Sequence, residues 1–288
     1  IETILKDVPE TRRTLLFSAT MPNEIAKISR QYMHDAAEIA VGTRNAGSDN
    51  VEHIYYMVRA DHRYLALKRI VDMNPDIYGI VFCRTRQETK DVAEKLMKDG
   101  YNADALHGDL SQAQRDTVMN KFRIKNLQVL VATDVAARGL DVSDLTHVIN
   151  YNLPDDVEVY THRSGRTGRA GKKGVSCVIV HTREGRRLRE IERIIKKEFK
   201  HMPVPTGMEV CKRQLFHLID KMERVEVSNE EIDVFMPQIA AKLAYLSKEE
   251  IISRFVSLEF NRFAEYYKDA EDINVDVKEG KKGKDKGD

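Results

Sequence analysis

Between residues 51 and 180, short apolar runs alternate with longer stretches of helical periodicity, and this alternation constrains the fold more than any other feature of the chain. Residues 51–58 alternate apolar and polar as a strand does, and 63–71 repeat with the helical period. The run YGIVFC (78–83) is continuously apolar and is followed by a helical pattern over 86–97. Strands at 103–106 and 128–131 flank a helix at 111–122, and strands at 147–151 and 175–180 complete the set. Strand, helix and strand at this spacing require right-handed crossovers, which predicts an α/β fold: a parallel sheet with helices on both faces.

The flanks read differently. TLLFS (14–18) predicts a short buried strand, Pro22 suits the first turn of a helix reaching Met33, and a strand is expected near 38–41. GTRNAGSDN (42–50) reads as a linker. Beyond the breaker-rich MPVPTG (202–207), which follows a helix expected to end near Lys200, only helical patterns remain. SNEE (228–231) and SKEE (247–250) match the capping-box spacing. The last helix carries Ile251, Ile252, Phe255, Phe260, Phe263, Tyr266 and Tyr267, and the lysine-rich KEGKKGKDKGD is expected to be disordered. With 42% hydrophobic and 32% charged residues over 288 positions, two packed domains are feasible.

Several classes drop out. The apolar runs fall far short of the roughly 18 residues of a membrane span. The chain opens with Ile1-Glu2-Thr3 and no signal-peptide pattern; the missing methionine leaves the native start open. Cys83, Cys177 and Cys211 have neither paired metal spacing nor an even count, which argues against a zinc ribbon or disulfide framework and for a reducing, cytoplasmic setting. The small net charge of +1 hides an uneven distribution. Residues 162–200 hold thirteen Lys/Arg against four Asp/Glu, whereas 220–276 hold seven against fourteen. Two modules with different partners are expected, the first with affinity for a polyanion.

Four segments carry chemistry, most of them near strand ends, where an open parallel sheet forms its crevice. HRSGRTGR (162–169) places Arg163, Arg166 and Arg169 three apart between glycines, giving planar donors and close backbone approach suited to phosphate oxygens. In ATDVAARGLD (132–141), Thr133 can bond a phosphate and Asp141 a ribose hydroxyl; either alone would also fit an ordinary capped turn. In HGD (107–109) with Gln112 and Arg115, the last two lie about one turn apart and can reach a sugar-phosphate backbone. Ser18-Ala19-Thr20 is a short string that a helix cap would also explain.

Together these segments, with IVFCRTR (80–86), resemble the DEAD-box family of ATP-dependent RNA helicases of superfamily 2, over roughly residues 11–180. The resemblance implies a RecA-like fold, with 1–42 the end of a first lobe, 43–50 a linker and 51–203 a second lobe. A small all-α module would occupy 204–274 and a lysine-rich tail 275–288. It implies Arg166 and Arg169 as arginine fingers on the ATP γ-phosphate, Asp141 on the ribose, and Arg138 and Gly139 beside the nucleotide. Arg84, Gly108, Gln112, Arg115 and Thr133 match positions on the RNA backbone. His162 and Arg163 match contacts across the cleft, and Ser18 and Thr20 the motif coupling hydrolysis to strand separation. Thr161 and Ser164 stand where many relatives have aliphatic residues, without displacing a charged or glycine position.

The sequence contains no G-x-x-x-x-G-K-[ST] string and no Asp-Glu-Ala-Asp box. The expectation is therefore that Ile1 lies a short way beyond that box, that Mg²⁺ would be held by the first lobe rather than by residues of this chain, and that this chain alone does not hydrolyse ATP. Residues 205–273 resemble the C-terminal extension of bacterial cold-shock-type members, which implies a homodimer; a helical cap folded on its own lobe is the alternative. Two other function classes compete: a DNA-directed superfamily 2 helicase, and a non-catalytic RNA-binding and dimerisation module.

Overall fold

The structure, a computed structural model, describes residues 2–9, 11–18, 21, 23–33, 35–39, 49–137, 142, 144–226 and 230–275. Two short helices come first, α1 (Glu2–Lys6) and α2 (Asn23–Tyr32). The sheet is then built from β1 (Val51–Met57), β2 (Gly79–Phe82), β3 (Ala103–Leu106), β4 (Val129–Ala132), β5 (His147–Asn150), β6 (Gly174–Val180) and β7 (Lys200–His201). The connecting helices are α3 (Arg63–Met73), α4 (Arg86–Lys98), α5 (Gln112–Arg123), α6 (Val157–Ser164) and α7 (Gly185–Ile195). Strand order is β3-β4-β2-β5-β6-β1-β7, and every pairing is parallel.

β2 and β4 read as unbroken apolar runs because they are buried on both faces. One face of the sheet (Ile54, Val81, Val131, Ile149 and Ile179) packs under α3 and α4 through Leu67, Ile70, Val92 and Leu96. The opposite face holds two clusters. Ile80, Phe82 and Leu130 pack against Val118 and Phe122 of α5. Met57, Val178 and Val180 pack against Tyr160 of α6 and Leu188, Ile191 and Ile195 of α7. Within the second cluster the Tyr160 hydroxyl meets His53 Nδ1 at 2.6 Å and Ser176 Oγ at 3.0 Å.

Helices α8 (Gly207–Arg224), α9 (Glu230–Asp233), α10 (Met236–Leu243) and α11 (Lys248–Tyr267) follow. Thr206 and Ser247 cap α8 and α11 in full capping boxes, with Glu209 and Glu250 answering three residues on. The expected box at 228–231 lies outside the described side chains. α8 packs on α3 and on α11. Gly207 lets the helices approach, since a Cβ there would meet the Tyr267 Cβ at 2.9 Å. Asp72 of α3 accepts hydrogen bonds from the hydroxyls of Tyr267 and Tyr101. Lys68 pairs with Asp99 at 2.7 Å and lies 3.9 Å from the centre of the Tyr266 ring. The module is thus a cap docked on its own lobe along α8 and the end of α11.

Three expectations at the edges are corrected. Residues 14–18 form no strand, and Leu15 and Phe17 are exposed, because no strand of the described sheet runs beside them to complete a ladder. The helix expected to reach Lys200 stops at Ile195, where Lys196 turns left-handed (φ 55°). The chain then buries Phe199, whose N–H donates to Glu192 at 2.7 Å, and adds the short strand β7. Of the strand expected near 38–41, residues 38 and 39 are not in a strand, and the rest lies outside the described residues.

Burial, and secondarily the charge of Lys197, push the pKa of His53 down to about 4. Its folded value lies below its unfolded value near 6.5, so the unfolded chain binds the extra proton. Stability is expected to be level above pH 6.5 and to fall progressively toward pH 4, by up to about 3 kcal/mol from this ring. Thermal melts of His53→Gln across that range should show a shallower pH dependence than the parent.

Candidate functional site

The carboxyl ends of β2, β3, β4 and β5 gather the first group of sequence-selected residues. Arg84 follows β2. Its backbone N–H donates to Asn152 Oδ1 and Glu88 Oε2, both at 3.1 Å. Its half-exposed guanidinium bonds the Leu153 carbonyl at 3.1 Å and pairs with Asp155 at 3.4 Å. Gly108 follows β3 beside Arg86. There the Asp109 carboxylate is held below its usual pKa by hydrogen bonds from Lys90 and Arg86. At the start of α5, Gln112 donates to Asp116 at 2.9 Å, and Arg115 donates to the Ala136 carbonyl at 3.2 Å. Thr133, after β4, is buried, and its hydroxyl accepts from the Ala136 N–H at 3.4 Å. The β2 and β3 loops are thus joined by ion pairs on Asp109, the β4 loop is tied to α5 by Arg115 on the Ala136 carbonyl, and Arg84 ties the β2 loop to the segment after β5.

The second group lies toward the other end of the sheet, carried there by α6. Gly165 caps that helix. Thr167 forms a parallel bridge with Leu145, just before β5, and its hydroxyl donates to the Leu145 carbonyl. Gly168 adopts φ 67°, and a Cβ there would sit 2.6 Å from Val51 Cγ2 at the start of β1, so this position needs glycine on two counts. The segment bearing Arg166 and Arg169 is consequently pinned at both ends. Arg169 Nε donates to the Gly165 carbonyl at 2.7 Å. Burial, then the nearby charge of Arg169, push the Arg166 pKa down. An anion placed against both guanidiniums would offset the repulsion between them.

Arg163 departs from what the sequence implied. It is 3% exposed and points inward, with His162 exposed beside it. Nε and Nη2 grip the Asp134 carboxylate at 2.6 and 2.8 Å. Nη1 donates to Asn150 Oδ1 at 3.0 Å and to the Asn152 carbonyl at 2.9 Å, and the guanidinium lies 5.0 Å from the centre of the Phe82 ring. Its donors are spent inside the lobe, joining α6 to the carboxyl ends of β4 and β5. The sequence reading passed over Asp134, Asn150, Asn152 and Glu88, although Asp134 stands inside ATDVAARGLD and the asparagines close β5.

Arg138, Gly139, Asp141 and Thr20 lie outside the described residues. Ser18 is exposed. No group of three or more metal-ligating side chains occurs among the described residues, and no described helix is long and apolar enough to cross a membrane.

Residues 62–171 match the helicase conserved C-terminal domain family, and residues 210–268 match the helical domain of a probable ATP-dependent RNA helicase. Over 232 residues the chain is 43% identical to the DEAD-box ATP-dependent RNA helicase CshA of Bacillus cereus, covering 81% of this chain and 44% of that protein. A Listeria monocytogenes ATP-dependent RNA helicase CshA is 43% identical over 77% of this chain and 43% of its own length. The chain thus spans less than half the length of these curated relatives. Among solved structures, S. cerevisiae Dbp5 bound to RNA and ADP BeF3 superposes with a TM-score of 0.66 at 27% identity, covering 73% of this chain and 57% of that one. The C-terminal domain of the DEAD-box protein Dbp5 superposes with a TM-score of 0.52 at 30% identity, covering 58% of this chain and 97% of that domain.

Removing the guanidinium from Arg163 strands the Asp134 carboxylate and the Asn150 side chain. Arg163→Ala is expected to cost about 2–3 kcal/mol in denaturant unfolding, from the lost charge-assisted hydrogen bonds of a buried side chain, since the Asp134 carboxylate left behind is one-third exposed to water. Arg163→Lys, which cannot form the two-pronged grip, should recover only part of that loss.

Proposed function

The chain belongs to the DEAD-box family of RNA helicases, and on that premise we propose that it supplies the arginine fingers and half of the RNA-binding surface of an ATP-dependent enzyme that locally opens RNA duplexes. One observation carries the reading: Arg166 and Arg169 lie close enough for their charges to interact, and the helix that leads into them is tied through Arg163 to the loops after β4 and β5. A phosphate contact made just past the end of α6 is therefore mechanically joined, through Arg163 in its last turn, to the loops after β4 and β5.

In this mechanism Arg166 and Arg169 donate to the terminal phosphate oxygens as charge builds there, a contribution worth about 10³ to 10⁵ in rate. ATP supplies the transferable phosphoryl group, and in this proposal Mg²⁺ would be held by acidic residues of the first lobe. Asp141, Arg138 and Gly139 contact the nucleotide in this proposal. Arg84, Gly108, Gln112, Arg115 and Thr133 face sugar and phosphate, which positions RNA without reading its sequence and makes binding salt-sensitive. His162 and, from the other side, Ser18 and Thr20 serve the contact between lobes, and Arg163 positions α6. The setting proposed is the cytoplasm.

A second reading, a non-catalytic RNA-binding and dimerisation module, draws on exposed apolar side chains of the helical region. Phe216, Phe235, Ile239, Ile252, Phe255 and Leu258 are all at least one-third exposed. We assign them to a two-fold contact with a second copy, compatible with catalysis by the longer protein.

Joined to a first lobe carrying the phosphate loop and acidic box, the chain is expected to support ATP hydrolysis stimulated by RNA and not by DNA. Arg166→Ala should lower kcat by about 10³-fold or more. Full activity in that variant removes the finger assignment, and equal stimulation by DNA moves the reading to a DNA helicase. The isolated chain should show no hydrolysis. In sedimentation velocity the parent is expected to run as a dimer and Ile252→Glu/Phe255→Glu as a monomer.

A further inference from the structure

The outer face of α7 carries a cationic ridge that the helicase motifs leave unused. Its inner face, Leu188, Ile191 and Ile195, is buried against the sheet. On the opposite face Arg186, Arg189 and Arg193 follow one another at helical spacing over about 10 Å, and all three are exposed. Three of the four acidic groups of this region have other partners, and the fourth, Glu198, lies beyond the end of α7. Glu190 pairs with Arg187 at 3.2 Å, Glu192 accepts from the Phe199 N–H, and Glu184 is held by Arg63 at 3.1 Å and by the His181 N–H at 3.0 Å. Among the described residues none of the three ridge arginines makes an ion pair, although nearby lysines do: Lys197 with Asp49 and Lys172 with Asp144. A helix face that lines up three exposed guanidiniums offers a polyanion a complementary row of donors and charge.

The position of the ridge matters as much as its charge. β6 ends at Val180, so α7 begins at the same carboxyl edge of the sheet as the loops that hold Arg84 and Thr133. It runs back to the amino end, where Lys197 meets Asp49 next to β1, and it packs alongside α6. We propose that the Arg186–Arg189–Arg193 face of α7 binds the phosphate backbone of single-stranded RNA flanking the segment held by the motif residues. The proposal rests on the RNA-binding reading above but uses none of its residues.

The test is the salt dependence of binding between the full 288-residue chain and a fluorescein-labelled single-stranded RNA, read by anisotropy. Arg186→Gln/Arg189→Gln/Arg193→Gln keeps good helix formers on the exposed face, and an unchanged melting temperature checks the fold. For three lost contacts the slope of log K against log salt should become shallower by about 2. An unchanged slope and affinity overturn the proposal, as does failure of the parent chain to bind RNA in a salt-sensitive way. Gln112→Ala/Arg115→Ala, measured in parallel, separates the two claims. Loss there with no change in the ridge variant leaves the motif reading standing and the ridge proposal wrong; loss only in the ridge variant does the reverse. Displacement by polyglutamate but not by unlabelled RNA would assign the ridge to an acidic protein partner and also overturn the proposal.

Discussion

A buried guanidinium costs several kcal/mol unless every donor finds an acceptor, so the position of Arg163 dictates what surrounds it. Asp134 supplies two oxygens, Asn150 a third and the Asn152 carbonyl a fourth. Those groups sit at the ends of β4 and β5, which fixes where α6 can lie along the sheet. Asn152 in turn donates to Glu88 and accepts from the Arg84 N–H, drawing the loop after β2 into the same network. The polar seam His53–Tyr160–Ser176 continues beneath the same helix. Being directional, those hydrogen bonds tie Tyr160 of α6 to β1 and β6 in one orientation, which an apolar contact alone would not impose.

Much of this was legible beforehand because it rests on periodicity. The buried strands β2 and β4 announce themselves as apolar runs, and α4 and α5 begin at Thr85 and Ser111, whose side chains cap them. What sequence could not give is direction. HRSGRTGR presents three arginines as equals, yet helical geometry turns Arg163 into the lobe, while Gly165 and the left-handed Gly168 carry Arg166 and Arg169 away from it. A guanidinium's destination depends on acceptors distant in sequence, and Asn150 and Asn152 look like ordinary strand-end polar residues. The apolar run at 14–18 failed for the complementary reason: strand propensity needs a neighbouring ladder.

The helical module illustrates how charge and apolar surface divide labour. Its attachment to α3 uses polar groups: Asp72 beneath the hydroxyls of Tyr101 and Tyr267, Lys68 against Asp99 and the Tyr266 ring, and Arg69 on the Glu271 carbonyl at 2.7 Å. Such contacts are directional, so they set an orientation in a way that a greasy contact alone would not. The apolar side chains of α10 and the middle of α11 are left outward.

The entry and exit of that module meet at one residue. Asn274 accepts from the Val204 N–H at 2.7 Å and returns a hydrogen bond to the Val204 carbonyl at 3.1 Å, while bridging to Val58 at the end of β1. Seventy residues therefore leave and rejoin the lobe through a single neck. A body hinged at one neck and braced along one side behaves as a lever rigid with its base: it transmits rotation and has little freedom to stretch. Whatever grips the far end of the lever therefore acts on the sheet as a whole, through α3 and the end of β1.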